Sequence, residues 1–138
     1  MPHRLSPVLL AVCLACFLLA VPLQSAQGQA LAPTASQAEV PLIMASDLRS
    51  LAKTKERFLL VDVRQPEEYA QGHIDHAILL PLDSLKDRYQ ELPKGKKIVV
   101  YCRSGKRSAQ AVSFLRAQGY THAVSLSGGY TEWLNAPM

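Results

Sequence analysis

Short apolar runs alternate with helix-forming segments along most of this chain, and this alternation constrains the fold more than any other feature. The runs lie at residues 58–61, 77–80, 97–101 and 123–126, with a shorter one at 42–43. Continuous apolar runs of this length are typical of strands that are buried on both faces. Strands that alternate with helices are joined by right-handed crossovers, which make neighbouring strands parallel. The sequence therefore predicts an α/β fold with a mostly parallel central sheet of about five strands and helices on both faces.

Capping residues and apolar spacing place the helices between these strands. The Ser-Asp pair at 46–47 and the Asp-Ser pair at 83–84 are typical helix N-caps. A proline suited to a first helical position begins a short helix over 66–71. The longest helix is predicted over 108–118, where apolar residues share one face and a glycine follows at the left-handed cap position. A closing helix is predicted over 130–134.

The amino terminus has the layout of a secretory signal peptide. Residues 1–7 carry Arg4 and no acid, residues 8–23 are apolar, and residues 24–30 are polar with small side chains at cleavage spacing. The alternative is a membrane anchor. The apolar run of 16 residues is shorter than the roughly 20 that span a bilayer core, so cleavage is favoured.

This layout divides the chain into three parts. We expect residues 1–30 to be a cleaved signal peptide, residues 31–39 a flexible leader, and residues 40–138 a single domain that acts in the periplasm as a monomer without stable membrane insertion. Loss of the signal peptide lowers the net charge from +4 to +3, because it contains Arg4 and no acid. Such a mild positive charge suits small anionic substrates and does not indicate a nucleic-acid partner.

The three cysteines are distributed so that one thiol stands alone in the mature domain. Cys13 and Cys16 lie in the predicted signal peptide, where lipid modification is a weaker alternative, and Cys102 lies in the domain. A single cysteine cannot form an internal disulfide. In an exported protein it points to an intermolecular bridge or to a free reactive thiol.

The segment after the strand at 97–101 carries the chemistry. Backbone N–H groups of such a loop, together with those of the following helix, can converge on one anion. Cys102 at the start of this loop lies near three basic residues, which favour the thiolate and make it a candidate nucleophile. The alternative, a cysteine that only packs, does not account for these cations. The predicted substrate-binding residues are the rest of the loop: Arg103, Ser104, Gly105, Lys106, Arg107 and Ser108.

Charged residues near the end of the strand at 58–61 are predicted to support this loop. We expect Asp62 to hold the loop backbone and Arg64 to pair with Glu68, since paired charges at strand ends more often fix loops than catalyse. His73 and His76 are not predicted to bind a metal, because they lie on a turn with no cysteine nearby.

Two sets of residues resemble the signatures of the rhodanese family. The first set is Asp62-Val63-Arg64, Glu68-Tyr69, Gly72-His73-Ile74 and Pro81. The second set is Val99 to Ser108, Gly128-Gly129 and Trp133. The resemblance covers residues 40–135 and is strongest to small exported single-domain thiosulfate sulfurtransferases of the phage-shock type. It implies a persulfide carried on Cys102 and a six-position loop that binds thiosulfate. His76 departs from the family pattern, which commonly has glycine there.

The predicted activity is therefore transfer of sulfane sulfur from thiosulfate to a thiophilic acceptor, cyanide or a thiol, without a metal or organic cofactor. Two alternatives remain. A cysteine-dependent phosphatase would use the same thiolate, but its arginine is expected six positions after the cysteine, where Ser108 stands, and Arg107 comes at five. A non-catalytic rhodanese-like binding module usually lacks the cysteine.

Overall fold

The computed structural model describes residues 39–137. The predicted signal peptide and nearly all of the predicted leader lie outside the described residues. The strands are β1 Leu42–Ile43, β2 Phe58–Asp62, β3 Ile78–Leu79, β4 Lys97–Tyr101 and β5 Ala123–Leu126. The helices are α1 Ala45–Ala52, α2 Pro66–Ala70, α3 Leu82–Arg88, α4 Lys106–Ala117 and α5 Gly129–Asn135, with a 3₁₀ turn at Tyr89–Glu91. Among the helices of residues 39–137, none combines the length and apolarity needed to cross a bilayer.

The five strands form one parallel sheet in the order β1-β5-β4-β2-β3. Strand β4 lies at its centre between β2 and β5, and the register pairs Asp62 with Tyr101 at the ends of β2 and β4. The predicted fold is confirmed, and β4 and β5 begin and end where the apolar runs predicted. Because ligand sites of such sheets form at the carboxyl ends of the strands, Cys102, the residue after β4, lies at the expected edge.

Alternate residues of the central strand supply the cores on the two faces of the sheet. Ile98, Val100 and Cys102 pack on one side with α3 and α4. Val99 and Tyr101 pack on the other side with α1 and α5. Successive side chains of a strand point to opposite faces of the sheet. A central strand that packs on both faces therefore has apolar side chains at nearly every position.

Two helices begin earlier than their predicted N-caps. Helix α1 begins at Ala45 and α3 at Leu82, and neither has a side-chain cap. The residue before each helix is extended, Met44 with ψ 156° and Pro81 with ψ 143°, so the backbone turns before the polar residues are reached. The acids at 47 and 83 lie instead in the first turn, where the helix dipole favours negative charge.

His76 occupies the turn between α2 and β3 in a conformation that glycine adopts readily. Its φ is 65°, and within residues 39–137 it is the one non-glycine residue with a positive φ. Histidine is among the residues that tolerate this left-handed region better than most. His76 therefore has the backbone conformation that a glycine would adopt readily, and next to it the Ala77 N–H donates to Ile74 O at 3.0 Å.

Candidate active site

The loop that begins at Cys102 is short and passes directly into a helix. Gly105 has a φ of 95° and forms the N-cap of α4, which begins at Lys106, two residues earlier than predicted. A left-handed glycine lets the chain turn into the helix without the steric cost that a side chain would add. The second half of the predicted loop is therefore the first turn of α4, and its free N–H groups face the cysteine end of the loop.

The Cys102 thiol is buried but surrounded by hydrogen-bond donors. The residue is 1% exposed, and its Sγ accepts the Gly105 N–H at 3.1 Å. Burial by itself raises the pKa of the thiol, but the Ser108 N–H and hydroxyl and the N–H groups of Ser104 and Gly105 outweigh it, so the pKa is lowered. Donors that satisfy an anion stabilise the thiolate, which is the nucleophilic form.

Helix α5 holds the opposite side of the loop. Its Tyr130 N–H donates to Cys102 O at 2.7 Å, and its Thr131 N–H donates to Arg103 O at 3.1 Å. A Cβ at Gly129 would lie 2.4 Å from Cys102 O and 2.7 Å from Arg103 O, so only glycine permits this approach. These bonds anchor the two carbonyl groups of the loop to the first turn of α5. Gly128-Gly129 was recognised in the sequence only as part of a family signature, and this contact was not predicted.

The ion pairs around the loop differ from the prediction. Arg64 does not pair with Glu68. It is buried and pairs with Asp62, Nη2 to Oδ2 at 2.6 Å. Glu68 instead forms a bidentate pair with Arg107, at 2.7 and 2.9 Å. Asp62 is thus occupied by the Arg64 side chain and backbone N–H rather than by the backbone of the loop, contrary to its predicted role.

Arg64 links the segment after α2 to α5. Its Nη2 donates to Gly72 O at 2.8 Å, and its guanidinium lies 4.4 Å from the centre of the Tyr130 ring. Tyr130 is also the residue whose N–H holds Cys102 O. The buried Asp62–Arg64 pair therefore supports the sulfur-bearing loop indirectly, through the position of α5.

The pairing of Arg107 changes the electrostatics of the loop. Its hydrogen bonds lower the pKa of Glu68 to about 2, so both groups are charged and compensate each other at neutral pH. Arg103 and Lys106 are exposed, and within residues 39–137 neither forms an ion pair. Two of the three predicted cations are therefore free to attract an anion.

Two cavities differ in whether a residue of the active-site loop lines them. A cleft of about 330 Å³ lies beside the loop between α2 and α5, with Glu68, Arg103 and Thr131 in its walls. A larger cavity of about 580 Å³ is lined by α1 and the start of β2 and includes no residue of the loop. Of these two cavities, only the cleft has a residue of the loop, Arg103, in its wall.

The two histidines near α2 make local contacts. The His73 ring stacks on the Tyr69 ring with 3.8 Å between centroids, and His76 forms the left-handed turn. Within residues 39–137, no three His, Cys, Asp or Glu side chains are grouped as a metal site would require.

The site and the fold together define a family. The sequence profile of the rhodanese-like domain matches residues 44–136. The chain therefore belongs to the rhodanese-like domain family.

Individual relatives are similar over most of the domain. A sulfurtransferase of Allochromatium vinosum is 47% identical over 83 residues, which are 60% of this chain and 77% of the relative. A putative sulfurtransferase of Bacillus subtilis, YtwF, is 33% identical over 95 residues, 69% of this chain and 91% of the relative. The structure of the human single-domain sulfurtransferase TSTD1 superposes with a TM-score of 0.62 at 33% identity, covering 72% of this chain and 99% of that one.

Proposed function

We propose that this chain is a sulfurtransferase that carries sulfane sulfur from thiosulfate to a thiophilic acceptor as a persulfide on Cys102. The observation that supports this most strongly is a buried thiol of lowered pKa at the carboxyl end of β4, surrounded by N–H donors. Sulfur transfer in general is also supported by the relatives described as sulfurtransferases.

The first half-reaction loads the enzyme. The Cys102 thiolate attacks the outer sulfur of thiosulfate, the S–S bond of the donor breaks, and sulfite leaves with the bonding electron pair. The product is a persulfide anion on Cys102, so the total charge is unchanged. Arg103 and Lys106, the two uncompensated cations of the loop, attract the dianion toward the thiolate.

The second half-reaction removes the terminal sulfur from the Cys102 persulfide. Cyanide attacks the terminal sulfur, thiocyanate leaves, and the electron pair of the S–S bond returns to Cys102 as the thiolate. A thiol acceptor would take the sulfur in the same way. Between the two steps the N–H groups of Ser104, Gly105 and Ser108 stabilise the anionic sulfur in a site from which water is largely excluded.

The phosphatase alternative is weakened by a specific contact. Gripping a phosphoryl group would require a free arginine at the helix end of the loop, and the arginine nearest that position, Arg107, donates from both Nη1 and Nη2 to Glu68. The binding-module alternative does not require a thiol of lowered pKa, which Cys102 has.

Thiocyanate formation from thiosulfate and cyanide tests the three possibilities together. We expect turnover by the wild-type protein, none by Cys102→Ser, and no hydrolysis of an aryl phosphate by either. Phosphate release without thiocyanate formation would establish the phosphatase. The absence of both products with folded protein would favour the binding module.

We further propose that the protein is exported to the periplasm and acts there as a monomer. The export part of the proposal rests on the signal-peptide layout of residues 1–30. Protein from the periplasmic fraction should begin near Gln29 or Leu31 by N-terminal sequencing and have a monomer's mass by light scattering. An intact Met1 in the membrane pellet would contradict export with cleavage.

A further inference from the structure

Two buried serine hydroxyls are in contact behind the active-site loop. Ser108 lies in the first turn of α4, and Ser125 lies on β5, the strand next to β4. Both residues are 0% exposed, and their Oγ atoms are 2.8 Å apart. Ser108 belongs to the predicted substrate-binding loop. Nothing in the sequence assigns Ser125 a role beyond its place in a strand.

The direction of this hydrogen bond follows from counting hydrogens. Each hydroxyl has one hydrogen to donate. Within residues 39–137, the Ser125 hydroxyl has Ser108 Oγ as its single hydrogen-bond partner, whereas Ser108 Oγ also lies 3.0 Å from Gly105 O. If Ser108 donated to Ser125, the Ser125 hydrogen would be buried without an acceptor, which is strongly unfavourable. Ser125 therefore donates and Ser108 accepts.

Because the Ser125 side of its oxygen is occupied by that donor, Ser108 directs its own hydrogen toward the loop. The acceptor there is Gly105 O, 3.0 Å from Ser108 Oγ, and the N–H of the same glycine donates to Cys102 Sγ at 3.1 Å. The hydrogen accepted from Ser125 also polarises Ser108 and strengthens the bond that it donates.

We propose that Ser125 is a positioning residue of the sulfur-carrying loop: it donates its hydrogen to Ser108, whose hydroxyl holds the Gly105 carbonyl and so keeps the Gly105 N–H on the anionic sulfur of Cys102, first as thiolate and then as persulfide. The persulfide part rests on the proposed function, and the thiolate part does not. No proton passes between the serines, and the proton that the thiol loses goes to solvent.

The pH titration of Cys102 in the purified protein tests the proposal. The thiolate is followed by its ultraviolet absorbance, with the curve of a matching Cys102→Ser protein subtracted to remove tyrosine and other cysteine signals. In Ser125→Ala the midpoint should move to higher pH. At a given pH below the midpoint, the thiolate fraction should fall by about two- to tenfold, the loss expected for one buried hydrogen bond.

The other charged and titratable groups near Cys102 are common to wild type and variant. They come from β2, α2, β4, the loop, α4 and α5: Asp62, Arg64, Glu68, Tyr101, Arg103, Lys106, Arg107 and Tyr130. Removing the Ser125 hydroxyl alters none of these groups, so a displaced midpoint reports the serine pair.

Two control variants separate positioning from general loosening. Val124→Ala removes packing from the neighbouring, half-buried position on β5 and should leave the midpoint unchanged even where it lowers the free energy of unfolding. Ser113→Ala removes an exposed hydroxyl from α4 and should change neither quantity. A midpoint displaced as far by Val124→Ala as by Ser125→Ala would overturn the proposal.

A double-mutant cycle tests the path through Ser108. In the Ser108→Ala background, Ser125→Ala should displace the midpoint no further, because there is no longer a hydroxyl to position. Ser125→Thr keeps the hydroxyl and should retain the wild-type midpoint, and it decides the question if the alanine protein does not fold. Equal midpoints for Ser125→Ala and wild type, or a raised midpoint for Ser125→Thr, would refute the proposal. The titration needs no sulfur donor, so it remains decisive if sulfur transfer is absent.

Discussion

The ion pair between α2 and the active-site loop allows a quantitative prediction for Glu68→Gln. Glutamine keeps the size of the side chain and, through its amide oxygen, the capping-box bond from the Gln65 N–H, which Glu68 accepts at 3.2 Å. The substitution therefore removes the charge opposite Arg107 together with one of the two hydrogen bonds from its guanidinium, because the amide nitrogen of glutamine cannot accept a hydrogen bond. It tests whether the pair stabilises the position of the loop.

The pKa of Glu68 sets the size of the effect. A fall from the ordinary 4.5 to about 2 corresponds to at most about 3 kcal/mol of folding free energy. The Glu68 and Arg107 side chains are 27% and 33% exposed, and solvent screens part of this interaction. We expect Glu68→Gln to lower the free energy of unfolding by about 1–2 kcal/mol at pH 7.

The pH dependence has a definite sign. Because the folded-state pKa lies below that of the unfolded chain, the stabilisation is complete above about pH 4.5 and is lost as the pH falls through about 2. Urea unfolding at a series of pH values should show that the difference in the free energy of unfolding between wild type and Glu68→Gln becomes smaller over this range. Glu67→Gln, at the exposed neighbouring position, supplies the control for the change in net charge. The reasoning would be refuted if the difference in the free energy of unfolding between wild type and Glu68→Gln were independent of pH, or no larger than the difference for Glu67→Gln.

Three further predictions concern the loop itself. Cys102→Ser should fold normally and retain no more than a few per cent of thiocyanate formation, because an alcohol is scarcely ionised at neutral pH and cannot carry sulfane sulfur. Gly129→Ala should cost at least about tenfold in turnover, since its Cβ would displace the Cys102 and Arg103 carbonyls that α5 holds. Arg103→Gln and Lys106→Gln should each raise the KM for thiosulfate by about tenfold or more without slowing discharge to a neutral thiol, whereas equal losses in both half-reactions would mean that the two cations only support the loop.

The sheet was predictable from the sequence because its signal is local. Four mostly apolar runs, separated by helix-forming segments, leave few alternatives to buried parallel strands, and the run at 97–101 matches β4 at both ends. Helix starts were less predictable. At Met44 and Pro81 the extended backbone, rather than a capping side chain, determines where α1 and α3 begin.

The contacts between charged residues depended on tertiary structure. Arg64 and Glu68 are four apart, a spacing that pairs side chains within one helix, but α2 begins only at Pro66 and Arg64 precedes it. Packing of α4 against this region brings Arg107 to Glu68 across 39 residues of sequence. The same holds for Ser125, whose contact with Ser108 exists only because β5 lies beside β4.

The central claim, a persulfide on Cys102, is tested most directly by mass spectrometry of the purified protein after incubation with excess thiosulfate and no acceptor. The account predicts a gain of one sulfur atom, localised to the peptide that contains Cys102, because double displacement requires this state to accumulate when nothing discharges it. Cyanide should restore the original mass. An unchanged mass in folded protein, or sulfur gained equally by Cys102→Ser, would contradict it.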